Sequence, residues 1–451
     1  MKKDDMENTI FNVLNVDKEG EVVVRYADFK FEFFIVRKSS PLDTIINTKN
    51  GYIECSDGNG KFLYVYCGSS TLKINSLKKF LNTNFYFISN GRFRNFNEKG
   101  FCFRFSGGII NKVFPPYALT LKEEKDNEII IEKQKYHKEI DMKLLDKSAK
   151  ISFYSGYQYS QSISKGFSIK ETDSSMEIIG EFSMQELFKL EYEFSRLFSF
   201  MTFRKIENDY FIDIILPQKI NNEERYESVA TCFYRTIGER KSSTKKDFLN
   251  IITVNLLSND QFVELYNIVN SKNKFGFNID FVPEDEKFNL ISKTRIKETV
   301  SALECMLNKY KIYDKNKETE NFIQELNEEI DSKNDESIDN EIKAQLKNAL
   351  RYATYPIKKR IKAAYIQCEE VANEYIEYLK KNKKDFATDI DKIIEDTLKY
   401  RDNNTHNEKG GISENVMEGV VVFDAIIYII VLEQIGFNKE YISVNLSQWL
   451  Q

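Results

Sequence analysis

At 451 residues the chain is long enough for two or three domains, each with its own buried core. Hydrophobic residues make up 41% and charged residues 30%, while glycine (18) and proline (6) are scarce, which excludes collagenous and flexible low-complexity architectures. A net charge of -5, from 65 basic and 70 acidic residues, excludes a global basic field for nucleic acid, so any polyanion site has to be a local patch.

The opening stretch, "MKKDDMENTIFNV", lacks the apolar core of a signal peptide, and a cytoplasmic location is expected. Strands follow. In "EVVVRYADFKFEFFIV", Phe29, Phe31, Phe33 and Ile35 fall on one side, with Lys30 and Glu32 on the other. The runs "KFLYVYCG", "NFYFISNG", "FCFRFSGG", "KISFYSG" and "MEIIGEF" are similar, and Gly, Asn, Asp and Ser punctuate them as turns require. Such a succession predicts an antiparallel sandwich or a pair of packed sheets. The aromatics keep the strand period, so they read as core rather than as a platform for stacking bases. His137, in the charged stretch "KQKYHKEID", is assigned no chemical role.

A helix interrupts the strands. "SMQE", Ser183 to Glu186, fits a capping box, and Leu187, Leu190, Phe194, Leu197, Phe198 and Met201 recur behind it at helical spacing. A strand, "YFIDIIL", starts at Tyr210, and from about Asn250 the pattern is mixed. From residue 283 the period is helical, with Ile296, Val300, Leu303 and Leu307 marking one helix. A charged insertion over 313–342 predicts an exposed helical hairpin or a partly mobile insertion, with solvated faces. A long helix begins near Pro356 and carries Ile357, Ile361, Tyr365, Cys368, Val371, Tyr375 and Leu379. The next starts near Thr388, whose hydroxyl is positioned to cap the turn reaching Asp391. The last, "ENVMEGVVVFDAIIYIIVLEQIG", is apolar on nearly all sides, which predicts deep burial or a subunit interface. Its apolar run is short for a bilayer span and contains Asp424, so no membrane is expected. Six scattered cysteines without a CxxC, and two distant histidines, predict reduced thiols, no metal site and no cofactor. The expected fold is therefore multidomain α+β: a β-rich, sandwich-like domain over 1–280 and an all-α bundle over 281–451.

Within the bundle one stretch carries chemistry: "TLKYRDNNTHNEKGG", Thr397 to Gly411, which holds one of the two histidines. Ile390, Ile394 and Leu398 form an apolar stripe, and Arg401 follows Ile390 by eleven residues, so it points as the core residues do. An inward guanidinium is costly unless an anion or hydrogen-bond acceptors satisfy it. In an unbroken helix His406 would be rotated by about 140° from Arg401. Asn403 and Asn404 are poor helix formers and Gly410 and Gly411 end helices, so a loosened turn would let imidazole and guanidinium converge. Asp402, four residues before His406, is spaced to hold the imidazole in one tautomer. Arginine forks onto phosphate oxygens, and histidine, with an ordinary pKa of about 6.5, moves protons at neutral pH. Together they suit metal-free RNA cleavage through the 2′-hydroxyl. A second chain would supply a second histidine, which makes the apolar last helix a candidate dimer surface. The competing reading is a polar helix end whose histidine interacts with the last carbonyls.

"RDNNTH" fits the Arg-x(4–6)-His motif of HEPN ribonuclease domains, including the polar residue after the arginine. The helix order matches as well: a first helix with "SALECML", a long middle helix, the motif closing the next, then an apolar final helix. The "ALE" triplet, ending in Glu304, resembles the first helix of the ApeA-type antiphage proteins, which join a β-rich N-terminal domain to a C-terminal HEPN domain. "EFSRLFSFMTFRKIENDYFIDI" is similar to the helix-to-strand passage of that N-terminal domain. The resemblance implies a metal-independent endoribonuclease of abortive-infection defence, at least dimeric, cutting RNA (tRNA among the candidates). Arg401 and His406 carry over as catalytic residues, Asp402 takes the variable polar position, and Glu304 is expected either to face the same cleft or to form a surface salt bridge. The N-terminal domain would bind a phage-derived trigger or restrain the nuclease. "YPIKKRIKAAY" adds Lys358, Lys359, Arg360 and Lys362, which would hold backbone phosphates or form a solvated basic face. The alternatives are a non-catalytic HEPN module for RNA or nucleotide binding or dimerisation, and a toxin silenced by a partner protein.

Overall fold

The computed structural model describes residues 9–16, 21–27, 30–37, 44–74, 78–83, 85–93, 100–115, 119–125, 128–133, 137–155, 157–162, 166–171, 173–202, 209–220, 223–235, 252–271, 292–310, 312, 317–333, 339–354, 356–371, 373, 377, 389–405 and 412–448. The chain is α+β and forms two compact units. The first comprises Met1–Met201, Ile206–Phe248 and Ile252–Val263; the second is essentially Glu264–Gln451. The boundary expected at 280 lies outside the described residues.

The first unit is built from antiparallel strands. Its N-terminal half holds β1 (Ile10–Val13), β2 (Glu21–Ala27), β3 (Lys30–Arg37), β4 (Thr44–Asn47), β5 (Tyr52–Ser56), β6 (Lys61–Tyr66), β7 (Thr71–Ile74), β8 (Lys78–Asn82) and β9 (Phe85–Asn90). After β10 (Phe101–Ser106) and a short helix α1 (Gly108–Val113) come β11 (Leu119–Lys125), β12 (Glu128–Lys133), β13 (His137–Leu144) and β14 (Lys147–Tyr154). Then β15 (Tyr157–Ser162), β16 (Gly166–Glu171) and β17 (Ser175–Phe182) precede the helix α2 (Leu187–Thr202), with β18 (Asp209–Ile220) and β19 (Glu223–Arg235) behind it. Among the described residues, thirteen strands join in the order β13-β14-β17-β10-β18-β19-β9-β6-β5-β1-β2-β3-β8.

In place of the expected pair of packed sheets, these thirteen strands form one hydrogen-bonded sheet bent on itself, while β4 with β7, β11 with β12 and β15 with β16 pair separately. Phe31 of β3 and Tyr86 of β9 have ring centroids 5.3 Å apart. Five strand spacings separate them in the sheet order, about 24 Å if the sheet were flat. The bend brings Phe11, Val24, Phe31, Phe33, Ile53, Leu63, Tyr86 and Phe233 into one core. The alternation read in β3 holds at Phe31 and Phe33, both fully buried; Phe29 lies outside the described residues. Aromatic packing fills this core, with Tyr64 stacked on Phe87 at 4.4 Å and Tyr86 on Phe233 at 4.8 Å. Glu54 is buried among them, and its carboxylate accepts from Arg92 Nε (2.7 Å), Arg92 Nη2 (2.8 Å) and the Tyr64 hydroxyl (3.2 Å). The stripe on α2 is buried at every position from Leu187 to Met201 that its spacing marks. The Glu186 carboxylate accepts the Ser183 N–H at 2.9 Å, as a capping box requires, and also takes Lys147 Nζ at 2.7 Å.

The second unit is helical. The division between the units falls inside α3 (Asn259–Val269), which opens with a reciprocal Ser258–Gln261 capping box. Next comes α4 (Lys293–Lys309), capped by Ser292 Oγ accepting from the Arg295 N–H. It is followed by α5 (Lys317–Ser332), α6 (Asn340–Thr354) and α7 (Ile357–Gln367), then α8 (Ile390–Thr405), α9 (Glu414–Gln434) and α10 (Lys439–Gln448). The expected long helix pauses at Cys368, which sits at φ -92°, ψ 4° and ends α7; Tyr375 and Leu379 lie outside the described residues. The cap of α8 is Asp389, whose Oδ1 accepts the Lys392 N–H at 3.2 Å, one residue after the expected Thr388.

Nearly every side chain of α9 from Val416 to Leu432 is buried within the single chain. By length and composition this helix could cross a bilayer, yet 89% of its most apolar window is buried inside the protein. Of the two expectations for this helix, deep burial is the one the fold shows: neighbours in the same chain cover its apolar sides. α9 and α8 approach so closely that a Cβ on Gly419 would lie 1.9 Å from Thr397 Oγ1. Gly419→Ala is expected to destabilise the protein by about 1–3 kcal/mol, the usual range for overpacking. Adding Thr397→Ala should recover much of that loss in a double-mutant cycle read by urea unfolding.

Candidate active site

The C-terminal turns of α8 are held from two sides. Tyr400 packs with Ile296 of α4 and with Val416 and Val420 of α9 in a small apolar cluster bordered by Ile412. Behind it, Asn415 Nδ2 donates to Asp396 Oδ2 at 2.6 Å, tying the first turn of α9 to α8. With α8 so fixed, Arg401 turns toward α4. Its Nη1 lies 3.6 Å from Glu304 Oε2, and its Nε lies 2.7 Å from Asp402 Oδ1. The Arg401 side chain is 22% exposed, Glu304 30% and Asp402 60%, so the group opens at the protein surface. The inward guanidinium expected from the stripe is thus answered by two carboxylates. Both contacts are ion pairs; the Glu304 one is the longer, and it is the easier of the two for an incoming anion to displace.

Three of the four expected catalytic residues therefore meet: Arg401, Asp402 and Glu304. His406 lies outside the described residues. The backbone stays helical through Thr405, so the loosening expected at Asn403 and Asn404 does not occur there. The neighbouring turns explain why: Thr397 and Leu398 are buried and Tyr400 is pinned, which outweighs the weak helix propensity of two asparagines. Asp402 spends its carboxylate on the guanidinium, a role that the spacing argument for the imidazole did not anticipate.

The basic run on α7 has partners inside the protein. Lys358 Nζ meets Glu395 Oε2 at 2.6 Å and Lys362 Nζ meets Asp391 Oδ2 at 2.7 Å, both carboxylates being on α8. Glu395 holds the Lys358 ammonium above its ordinary range. Arg360 is buried and donates from Nη2 to Asn308 Oδ1 of α4 at 3.0 Å. Lys359 is exposed. The four residues proposed to hold phosphates thus point to different places, and three of them stitch α7 to its neighbours.

The sequence reading missed the polar centre of the unit. Asp424, in the middle of α9, is buried, and its Oδ2 receives Arg295 Nη2 at 2.5 Å while its Oδ1 receives Thr299 Oγ1 at 3.2 Å. Burial pushes the Asp424 carboxyl up, against the pull of Arg295 and Thr299. The one sequence signal was an acid inside an apolar run; its partner on α4 is distant in the chain. His137 in the first unit meets Ser152 Oγ through Nε2 at 2.7 Å and Glu139 Oε1 at 3.5 Å. Among the described residues no group of three or more His, Cys, Asp or Glu is placed to hold a metal ion. No protein-family model matches the chain, and no curated protein or solved structure is significantly similar to it.

Proposed function

We propose that the helical unit is a metal-independent endoribonuclease of the HEPN type, acting in the cytoplasm in antiphage defence, with the β-rich unit as its sensor or restraint. What carries the reading is the Arg401–Glu304 pair: two residues singled out separately, on different helices, lie 3.6 Å apart at the surface. In the sequence His406 comes directly after Thr405, the last residue of α8. In the proposed reaction an RNA phosphate takes the place of Glu304 at the guanidinium. The 2′-hydroxyl loses its proton to a base, its oxygen attacks phosphorus, the P–O5′ bond breaks, and the 5′-oxygen takes up a proton. Arg401 neutralises charge on the phosphorane. His406 performs one of the two proton transfers. A second copy of the chain would supply the imidazole for the other.

A second reading draws on the same geometry. A guanidinium already paired with two carboxylates also fits a retired site, in which this unit binds RNA or nucleotide without cutting it. Replacing His406 with alanine separates the two. The nuclease reading expects loss of RNA cutting and of toxicity on overexpression, with folding and RNA binding unchanged. Cutting that survives His406→Ala, or a wild type that binds RNA and never cuts it, favours the second reading.

A further inference from the structure

The division between the two units runs through α3: its first five residues belong to the first unit and its last six to the second. The first unit grips the start of this helix. Lys138 Nζ, on β13, donates to the Val254 carbonyl at 2.8 Å and also to that of Leu257, in the turn that leads into α3. Asn259 Nδ2, in the first turn of α3, donates to the Glu139 carbonyl at 2.8 Å. Phe262 is fully buried, with its ring 5.7 Å from that of Phe153 on β14.

The second unit grips the end. Lys309 Nζ, in the last turn of α4, donates to Ser271 Oγ at 3.3 Å, and Ser271 Oγ donates in turn to the Ile268 carbonyl at 2.7 Å. Tyr310 closes α4; burial, and then the neighbouring Glu264 carboxylate, push its hydroxyl up to about 12. Between the two grips Leu265, Ile268 and Val269 are buried.

Eleven residues are too few to hold a stable helix in water without packing. α3 is therefore folded by its contacts, and each unit supplies part of them. Two units that bias one folding equilibrium are coupled, and the coupling is reciprocal. We propose that α3 is a coupling element: release of its start from β13 loosens its end and, through Lys309, the last turns of α4. Glu304 lies five residues before Lys309 and meets Arg401 at 3.6 Å, so those turns border the candidate site. The coupling holds whether or not the helical unit cuts RNA; its use to restrain cutting rests on the nuclease reading.

Hydrogen exchange of the full-length protein, followed by mass spectrometry, tests the coupling. Lys138→Met with Asn259→Ala removes the first grip and leaves the Val254 and Leu257 carbonyls without their donor. Exchange should rise by about tenfold or more in α3 as far as Ser271 and in the last two turns of α4, with an unchanged circular dichroism spectrum. The reverse variant, Ser271→Ala with Lys309→Met, should raise exchange at the start of β13 and in the turn before α3. It decides the matter if the first variant misfolds. Faster exchange that stops at Val263 in the first variant, or that leaves β13 and the turn before α3 unchanged in the second, overturns the proposal. RNA cutting is read separately on the same proteins: a wild type that never cuts removes the nuclease reading and leaves the exchange result standing.

Discussion

Arg401→Lys is expected to lower RNA cleavage by about two to three orders of magnitude, as loss of a charge-stabilising donor does. Lysine keeps the charge but loses the planar fork, so it cannot hold Asp402 through one edge while presenting another to a phosphate. The same change should cost less than about 1 kcal/mol of stability, because the Glu304 and Asp402 partners are part-exposed. That split between a large kinetic loss and a small loss in urea unfolding is what separates a reacting group from a structural ion pair. Glu304→Gln should behave differently. It keeps the shape and removes a competing charge, so RNA binding should tighten or hold while cutting changes by less than Arg401→Lys does. Equal cutting by wild type and Arg401→Lys would remove the arginine from the reaction.

Asp424→Ala is expected to destabilise the protein by about 3–5 kcal/mol, the range for leaving one member of a buried ion pair alone. The stranded group is the Arg295 guanidinium, itself buried between α4 and α9. Arg295→Ala should cost a similar amount by leaving the Asp424 carboxylate without its cation. Replacing both at once, Arg295→Met with Asp424→Leu, should cost far less than the sum, since apolar side chains of similar volume satisfy a buried site without desolvation. Urea unfolding of the wild type, Arg295→Met, Asp424→Leu and the double variant gives the coupling directly. Additive losses would mean that the two side chains do not act as a pair.

What was legible in the residues and what was not follows the range of the forces involved. The stripe and capping box of α2, the alternation in β3 and the all-round burial of α9 are local patterns, and each is borne by its own segment. The bending of the thirteen-stranded sheet was not legible, because Phe31 meets Tyr86 only through the accumulated pairing of strands between them. The Arg295–Asp424 pair was hidden for the same reason: an acid in an apolar run announces that a partner exists without saying where. Burial of α9 was visible, but its division between one chain and two was not, since hydropathy does not name the neighbour. Lys358 and Lys362 read either as a phosphate-facing patch or as a solvated basic face, and the acids that meet them, on the next helix of the same unit, were not legible in the run itself. At the candidate site, Arg401 and Glu304 were each singled out by residue type and position, and their meeting depends on the packing of α8 against α4.

The central claim is that Arg401 and His406 act together on one phosphate through the neighbouring 2′-hydroxyl. It is tested most directly by purified wild-type protein and His406→Ala incubated with total RNA in the presence of a chelator, with the chemistry of every cut end determined. The account predicts 2′,3′-cyclic phosphates paired with 5′-hydroxyls, present with the wild type and absent with the variant. Ends bearing 3′-hydroxyls and 5′-phosphates, or cyclic ends made equally by both proteins, would contradict it.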